Sequence, residues 1–259
     1  KVFDEGICPK EWEDCTVVPV FKKGNEYDPN NYRGIAVINT MQKILAKILA
    51  RRLQVVCEIP GVIRKEQIGF MSSEECAGQA AGLLEICQRR KAFNMPTLLT
   101  FLDLKKAYDL VPIKRLLSKL KSKGLGPKML NFFKKMYENT FMRVLIENNH
   151  TERFKYERGV RQGCPTSPLI FNLFIDDLLE NISPIEVPGN SGIKGLLYAD
   201  DTVILANNFV ELKEKLTHIG YWMKDNLMEI NPRKFGTMVI DCDTEIKRKL
   251  PYMKVKKFL

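Results

Sequence analysis

Residues 195–206 read Gly195-Leu196-Leu197-Tyr198-Ala199-Asp200-Asp201-Thr202-Val203-Ile204-Leu205-Ala206. Two short apolar segments flank an acidic pair, and very few residues separate the two segments. This pattern predicts two strands joined in a tight hairpin. Adjacent carboxylates at the tip of a buried hairpin repel each other and lose hydration, which is costly unless a cation compensates. The stretch therefore predicts a hairpin with a cation site at its tip.

A second acidic residue, Asp103, ends another apolar run. Residues 97–102 follow Pro96 and predict a buried strand that finishes at this aspartate. If that strand neighbours the hairpin, three carboxylates meet at one sheet edge and offer the hard oxygen ligands that suit Mg²⁺. Two such ions ~3.5–4 Å apart can activate an attacking hydroxyl and stabilise a leaving oxygen. The other acidic pair, Asp176-Asp177, lies in a predicted helix and is expected to face solvent.

The rest of the chain alternates helices with strands. Apolar periodicity predicts a helix from Thr40, with its apolar side formed by Met41, Ile44, Leu45, Ile48 and Leu49. Further helices are predicted over 74–90, 112–123, 127–137, 167–179 and 210–228, and further strands over 141–147, 153–157 and 236–240. Strands separated by helices, with one tight hairpin, imply an α+β fold.

Composition narrows the class of protein. The 259 residues are 45% hydrophobic and 28% charged, which argues against disorder, and the apolar stretches are too short to cross a bilayer. Seven cysteines without a Cys-x-x-Cys pair, and two histidines far apart, argue against zinc and favour reduced thiols in an intracellular protein. The net charge of +10 and the recurring basic pairs favour a nucleic-acid partner. Because no initiator methionine or leader is present, we expect a segment of a longer protein.

Four ordered blocks carry a resemblance to a known family. Residues 198–201 (Tyr-Ala-Asp-Asp) resemble the active-site hairpin of reverse transcriptases. Residues 101–109 resemble the first catalytic strand and turn of that family, residues 158–169 its glycine-containing template and nucleotide loop, and residues 18–24 and 31–35 its basic fingers segment. The motif pattern is most similar to that of reverse transcriptases from non-LTR (LINE-type) retrotransposons. The reverse transcriptases of group II introns are the related class to be distinguished from them.

The resemblance implies a fold and a division of the chain. It implies an α+β fold with a right-hand polymerase palm, an antiparallel sheet with helices on one face, plus helical and β fingers and no thumb. The fingers are expected over 1–95, with 119–162 returning to them, and the palm over 96–118 and 163–259. Residues 255–259 resemble the approach to a primer-grip hairpin.

The resemblance also implies roles for individual residues. The metal-binding groups would be the carboxylates of Asp103, Asp200 and Asp201 and the backbone carbonyl of Leu104. Lys234 matches a lysine that protonates the departing pyrophosphate, although Phe235 replaces the usual threonine beside it. The nucleotide-binding residues would be Lys22 or Lys23 with Arg33 on the triphosphate, Tyr108 beneath the sugar as a gate against the ribose 2′-hydroxyl, and Gln162 and Gly163 at the nucleotide and template.

The implied function is RNA-directed DNA polymerisation. A primer 3′-hydroxyl would attack a dNTP on an RNA template with two Mg²⁺ ions, for which Mn²⁺ can substitute. The partners would be an RNA template, a DNA primer and dNTPs, with no membrane and no zinc. By family analogy the protein would work in the nucleus and cytoplasm.

Three alternatives stay open at this point. A truncated or decayed element product would bind nucleic acid without polymerising. A palm-type cyclase or non-templated nucleotidyltransferase would keep the paired carboxylates without needing the 161–163 loop or the gate. A group II intron-type reverse transcriptase would differ mainly by a downstream RNA-splicing domain.

Overall fold

A computed structural model describes residues 2–72, 75–138 and 140–240. The helices are α1 (Val2–Glu5), α2 (Thr40–Cys57), α3 (Cys76–Ala92), α4 (Ala107–Leu110), α5 (Ile113–Ser122), α6 (Pro127–Glu138), α7 (Ser167–Ile175) and α8 (Phe209–Asn226), with short 3-10 turns at Lys10–Trp12, Pro29–Asn31 and Asp176–Leu179. Within these residues, no helix has the length and apolar character needed to cross a membrane.

The strands complete the α+β fold that the alternating pattern predicts. They are β1 (Asp14–Phe21), β2 (Tyr32–Val37), β3 (Thr97–Asp103), β4 (Phe141–Ile146), β5 (Asn149–His150), β6 (Phe154–Lys155), β7 (Ile185–Val187), β8 (Asn190–Ile193), β9 (Gly195–Tyr198), β10 (Asp201–Ala206) and β11 (Gly236–Ile240). The predicted strands at 97–103, 195–206 and 236–240 are thereby confirmed. The primer-grip resemblance at 255–259 lies outside the described residues.

The chain divides into two compact units. The first comprises the described residues of Lys1–Cys57 and Tyr108–Phe174, and the second those of Glu58–Ala107 and Ile175–Leu259. These boundaries differ from the expected fingers and palm, because residues 58–95 group with the 195–206 hairpin and residues 163–174 group with the N-terminal strands. The fingers and palm boundaries at 95, 118 and 162 stay a prediction.

The sheet of the first unit has the order β2-β1-β4-β5, and β6 also pairs with β4. β1 and β2 form an antiparallel hairpin, whereas β1 and β4 are parallel. Parallel neighbours need a long crossover, and here more than a hundred residues separate the two strands in sequence. This sheet fixes the position of the β1–β2 connection, which carries the predicted triphosphate-binding residues.

The sheet of the second unit is antiparallel, with the order β11-β3-β10-β9. One of its faces carries Leu99 and Leu205, which pair across β3 and β10 and are buried in an apolar cluster with α3 and the β7–β8 hairpin. On the opposite face Thr100 and Thr237 hydrogen-bond between β3 and β11 at 2.9 Å. The two central strands, β3 and β10, are those that end or begin at the predicted catalytic aspartates.

Two local expectations prove wrong. α2 buries Gln42, Ala46, Leu49, Leu53 and Cys57, so that Met41, Ile44 and Ile48, which were predicted for its core side, lie exposed. The helix carries two apolar stripes, and periodicity alone does not say which one meets the core.

The predicted helix over 167–179 stops at Ile175 and continues as a 3-10 turn. Asp176 in that turn is buried rather than solvent-facing: it accepts a hydrogen bond from the Arg64 backbone N–H at 2.7 Å. Asp177 accepts one from the Trp222 indole at 2.8 Å. Both carboxylates therefore have structural partners within the second unit.

Candidate active site

The acidic hairpin closes in two residues. β9 ends at Tyr198 and β10 begins at Asp201, and these two residues face each other across the ladder. Ala199 and Asp200 form the turn, with Ala199 in the left-handed region at φ 55°. Left-handed backbone at the first turn position matches the twist of tight hairpins but is unfavourable for a residue with a Cβ. The turn is therefore held by contacts from outside the hairpin.

The three predicted metal-binding aspartates come from two adjacent strands. Asp103, the last residue of β3, lies directly opposite Asp201, the first residue of β10. Residues directly opposite each other in an antiparallel pair project to the same face. Asp200 precedes Asp201 at the tip, and burial raises the pKa of its carboxyl, with a further contribution from the charges of Asp201 and Asp103. Negative charge thus accumulates at this edge of the sheet.

Asp103 is engaged by a neighbouring loop. The Lys234 ammonium donates to Asp103 Oδ1 at 2.6 Å, and the Asn231 amide donates to Asp103 Oδ2 at 3.1 Å. The ion pair with Asp103 raises the pKa of Lys234. The structure therefore brings Lys234 to the aspartates, which are far from it in sequence.

The aspartates do not form a finished ligand set. Among residues 2–72, 75–138 and 140–240, no three His, Cys, Asp or Glu side chains are arranged so that they could hold a metal ion as they stand. Both oxygens of Asp103 are engaged by the contacts just described, with Lys234 and with Asn231. The metal-binding roles of the three aspartates stay a prediction.

The donor chemistry nevertheless fits a divalent cation. Asp200 is partly dehydrated and repelled by two other carboxylates, and the cationic group that opposes this repulsion is the exposed Lys234. The Leu104 carbonyl stays a predicted ligand. Leu104 forms a bridge with Ile230, and the flanking residues make the hydrogen bonds: the Asn231 N–H donates to the Asp103 carbonyl, and the Lys105 N–H donates to the Glu229 carbonyl.

Gln67 holds the hairpin tip and was missed by the sequence reasoning. Its buried side-chain amide donates to the Ala199 carbonyl at 3.1 Å and accepts from the Ala199 N–H at 3.0 Å. The same oxygen accepts from the Gly69 N–H at 2.9 Å. A Cβ on Gly69 would lie 2.2 Å from the Ala199 nitrogen, so only glycine allows this approach. In the sequence, Gln67 is marked only by the nearby Gly69, and a glutamine close to a glycine is too common a pattern to indicate this role.

The predicted triphosphate-binding residues lie in the first unit. Lys22 and Lys23 are exposed directly after β1, where the Lys22 N–H bonds to the Asn31 carbonyl at 2.9 Å. Arg33 is exposed on β2 and pairs across the hairpin with Val20. The hairpin register therefore brings these three cations together at one end of the β1–β2 pair.

The predicted nucleotide loop is attached to the same hairpin. The Ala36 N–H of β2 donates to the Gln162 carbonyl at 2.7 Å, and a Cβ on Gly163 would lie 2.7 Å from the Ala36 oxygen. The Gln162 amide donates to Asp109 Oδ1 at 3.0 Å. Gly163 has φ +114°, a conformation that glycine adopts readily. Gly163 thus lies close to the backbone of β2, and its contact with the nucleotide and template stays a prediction.

Tyr108 is placed beside this loop. The Val160 N–H donates to the Tyr108 carbonyl at 2.7 Å, and the half-buried Tyr108 ring stacks on Phe171 with centroids 4.9 Å apart. Two strong contacts therefore fix the ring and its backbone relative to residues 158–164.

Arg161 anchors the loop from inside and was quoted only as part of a motif. Its side chain is 1% exposed and donates to the Met136 carbonyl and the Thr140 hydroxyl at the end of α6. Its Nε and Nη1 atoms have no hydrogen-bond partner among the described residues. A buried guanidinium is costly, and here it satisfies a carbonyl at a helix end. The residue adjacent to Gln162 is therefore fixed in the core.

The predicted site residues thus form two groups, one in each unit. The second unit contains Asp103, Leu104, Asp200, Asp201 and Lys234, and the first unit contains Lys22, Lys23, Arg33, Tyr108, Gln162 and Gly163. Within each group, strand register and loop contacts bring together residues that are distant in sequence.

Solved structures share this fold. The chain superimposes on apo telomerase from Candida tropicalis truncated from the C-terminal domain with a TM-score of 0.66 at 11% identity, covering 92% of this chain and 52% of that one. Telomerase from the same organism in complex with a TWJ fragment of telomeric RNA gives a TM-score of 0.61 at 12% identity, covering 88% and 41% of the two chains. At this identity the likeness shows the fold, that of a right-hand polymerase.

Sequence relatives are transposon-encoded polyproteins and polymerases. The chain is 28% identical to the Pol polyprotein of the type-1 retrotransposable element R2 of Nasonia vitripennis, over 91% of this chain and 23% of the relative. It is 25% identical to the R2 polyprotein of Popillia japonica, over 98% and 36%, and 27% identical to the probable RNA-directed DNA polymerase from transposon BS of Drosophila melanogaster, over 87% and 26%. The chain therefore spans between about a quarter and a third of the length of these relatives.

A known protein family matches most of the chain, and the match extends well beyond the four blocks that carry the resemblance. Residues 20–256 match the family "Reverse transcriptase (RNA-dependent DNA polymerase)". That match includes Lys22, Lys23 and β2, the nucleotide loop and the acidic hairpin described above. With the relatives, which are non-LTR elements, it places this chain in the reverse transcriptase family, on the LINE-type side.

Proposed function

We propose that this chain is the polymerising part of an RNA-directed DNA polymerase from a non-LTR retrotransposon. The observation that carries the proposal is the cross-strand pairing of Asp103 with Asp201, with Asp200 at the adjacent hairpin tip. The family match and the R2 relatives support it. The substrates would be an RNA template, a DNA primer and dNTPs.

The reaction joins the primer 3′-oxygen to the α-phosphorus of a dNTP and breaks the bond from that phosphorus to the departing pyrophosphate. The 3′-hydroxyl loses a proton, and the pyrophosphate gains negative charge that must be neutralised or protonated. Reverse transcriptases generally use divalent metal ions, and we propose Mg²⁺, with Mn²⁺ as a substitute. Asp103, Asp200, Asp201 and the Leu104 carbonyl would hold two ions, which supply charge stabilisation and an activated hydroxyl when bound.

Lys234 has two roles in this proposal. Its ammonium pairs with Asp103 at 2.6 Å, a contact that raises the pKa of Lys234. A lysine is already protonated at neutral pH. A protonated amine beside the reacting phosphates can donate a proton to the departing pyrophosphate. To do so, it must exchange its contact with Asp103 for one with the nucleotide.

The first unit would bind the nucleotide. Lys22 or Lys23, with Arg33, would contact the triphosphate, since exposed cations at one end of a hairpin attract accumulated phosphate charge. Gln162 and Gly163 would contact the nucleotide and template, on a loop fixed by Arg161, Asp109 and Ala36. The Tyr108 ring, held against Phe171, would exclude a ribose 2′-hydroxyl by steric conflict.

Metal-dependent primer extension on an RNA template tests the proposal. Purified protein, expressed with its flanking segments, is expected to add dNTPs to an annealed DNA primer, and Asp200→Asn is expected to abolish the addition. Asp177→Asn is the matched control, because this residue belongs to the other acidic pair and accepts a hydrogen bond from the Trp222 indole. Undiminished synthesis by Asp200→Asn would refute the assignment.

The same assay separates the alternatives. A remnant that only binds nucleic acid would give no Asp200-dependent product, and a non-templated nucleotidyltransferase would incorporate nucleotides without template. A group II intron-type enzyme would behave as proposed, and the flanking sequence would distinguish it. We propose the nucleus and the cytoplasm as its locations by family analogy, and microscopy of the tagged protein tests this.

A further inference from the structure

The charged side chains from the end of α4 to the last turn of α6 are all positive. Residues 110–137 contain eight cationic side chains and no acidic one, in a chain with 41 cationic and 31 acidic residues overall. The eight are Lys114, Arg115, Lys119, Lys121, Lys123, Lys128, Lys134 and Lys135. A block of like charges creates a positive field around this part of the chain.

Several of these cations have structural partners. Lys119 donates to the Phe174 carbonyl at 2.9 Å and lies 4.6 Å from the centre of the Phe174 ring. Lys128 pairs with Asp4 at 2.7 Å, and Lys134 approaches Glu138 at 3.8 Å. The fold thus accounts for part of the basic block, chiefly on α6.

The exposed side of α5 carries three further cations. Leu116 and Leu120 are buried, and the opposite side of the helix exposes Lys114, Arg115 and Lys121 with Ser118 and Ser122 between them. Lys114 and Lys121 are seven residues apart, so they project from the same side about 10 Å apart along the axis. We define these three cations and two serines as the α5 basic face.

The composition of this face indicates the class of partner. None of the large exposed hydrophobic residues of the described chain falls between 102 and 145, so the face offers no apolar anchor. Protein interfaces depend on aromatic and apolar anchors, and a membrane-surface helix needs an apolar side. Lysine, arginine and serine are instead the side chains that contact nucleic-acid phosphates. The exposed side of α2 differs, since it mixes basic residues with Met41, Ile44 and Ile48.

We propose that the α5 basic face binds the phosphate backbone of an RNA strand, outside the acidic hairpin and outside the predicted nucleotide contacts. The proposal extends the proposed function by giving the template RNA a second, sequence-independent contact. It needs no polymerisation to be tested, because binding is measured directly.

The test compares two double variants of the full chain. Lys114→Ala/Lys121→Ala removes two cations from the α5 basic face. Lys213→Ala/Lys224→Ala removes two lysines that are also exposed, from α8, where acidic residues are interspersed with basic ones. Fluorescence anisotropy with a labelled single-stranded RNA, repeated between 50 and 300 mM salt, gives the affinity and its salt dependence. Thermal melts check that both variants are folded.

The α5 variant is expected to bind RNA roughly 20-fold more weakly at about 0.1 M salt, with a log–log salt slope smaller by about 1.4, as two lost phosphate contacts require. The α8 variant is expected to match the wild type. Equal losses in both variants would mean that only net charge matters, and an unchanged α5 variant would mean that the face is not used. Either result overturns the proposal, as would binding of poly-glutamate or of DNA alone.

Primer extension keeps this inference separate from the proposed function. At saturating primer–template and low salt, the α5 variant is expected to retain Asp200-dependent synthesis. If no form of the protein synthesises DNA but RNA binding still depends on Lys114 and Lys121, the polymerase proposal fails and the binding proposal stands.

Discussion

The side-chain amide of Gln67 makes two hydrogen bonds to the backbone of Ala199, the residue immediately before Asp200. Ala199 has a left-handed backbone, which costs roughly 1 kcal/mol for a residue with a Cβ. The buried amide compensates for this cost by satisfying both backbone groups of Ala199. Gln67 is thus a positioning residue for the acidic hairpin, acting through the backbone and not on a substrate.

Replacing Gln67 by methionine tests this role. The change keeps the volume and leaves three buried backbone groups unsatisfied, so we expect a loss of about 1–3 kcal/mol in the free energy of unfolding. If the tip shifts by about an ångström, kcat for primer extension is expected to fall on the order of 100-fold while KM for dNTP changes little. The control is Gln79→Met, since the Gln79 amide bonds to Glu66 and Leu197 on the same edge but not to Ala199. Equal kcat losses in both variants would reduce Gln67 to a general structural residue.

The strands that carry the aspartates could be predicted from the sequence because their signals are local. The apolar runs before Asp103 and on both sides of Asp200 and Asp201 have the length and composition of buried strands. Because β3 and β10 are adjacent, their register places Asp103 opposite Asp201. The positions of Gln67 and Arg161 could not be predicted in this way. Each acts through a long-range contact with a backbone group, and backbone groups have no signature in a sequence.

The partners of charged side chains are harder to predict from the sequence than the positions of buried strands. The pair Asp176-Asp177 was expected in solvent, but Asp176 is buried against Arg64, a partner 112 residues away. The ion pair between Lys234 and Asp103 joins residues that are 131 positions apart in sequence. An ionisable side chain shows its partner only after the strands are arranged, because sequence spacing constrains only helical and cross-turn neighbours.

Asp200→Asn is expected to stabilise the protein while abolishing synthesis. Burial and two neighbouring carboxylates raise the folded-state pKa of Asp200, so its ionised form is less favourable in the folded chain than in the unfolded chain. The native state therefore gains stability as the pH falls toward that raised pKa and loses it as the carboxyl ionises. At pH 7 the neutral amide avoids this cost, so we expect Asp200→Asn to have a higher Tm than the wild type.

The pH dependence provides the check. Thermal melts of wild type and Asp200→Asn between pH 4 and pH 8 are expected to show the largest difference in Tm near neutral pH and a shrinking difference as wild-type Asp200 becomes protonated. A pH-independent difference would assign the effect to hydrogen bonding instead of charge. Asp177→Asn is expected to be destabilising over the same range, because it changes a carboxylate that accepts from the Trp222 indole.

Gly163→Ala is expected to damage the nucleotide loop. A Cβ would lie 2.7 Å from the Ala36 oxygen, which belongs to the backbone of β2 and cannot rotate away, and φ +114° is unfavourable for alanine. We expect a loss of about 1–3 kcal/mol in the free energy of unfolding, together with a raised KM for dNTP.

Gly126→Ala is the matched control for this change. Among the described residues, apart from Gly126 and its two chain neighbours, no atom lies within 4 Å of a Cβ placed on Gly126. The free energy of unfolding is therefore expected to stay within about 1 kcal/mol of wild type. Urea unfolding of both variants measures the difference. If Gly163→Ala proves as stable as Gly126→Ala, the close packing of the loop on β2 is wrong.

Tyr108 gives the most specific prediction about substrate choice. Its ring stacks on Phe171 at 4.9 Å, and its carbonyl accepts from the Val160 N–H, so ring and loop are held together. If the ring excludes a ribose 2′-hydroxyl by volume, Tyr108→Ala is expected to admit ribonucleotides and lower the dNTP over rNTP ratio of kcat/KM roughly 100-fold, at a stability cost of about 1 kcal/mol from the lost stacking. Tyr108→Phe keeps the ring and removes only the hydroxyl, so discrimination is expected to survive. Single-nucleotide incorporation with matched dNTP and rNTP measures both ratios. If Tyr108→Ala still discriminates between dNTP and rNTP, Tyr108 is a packing residue, because steric exclusion of the 2′-hydroxyl requires the volume of the ring.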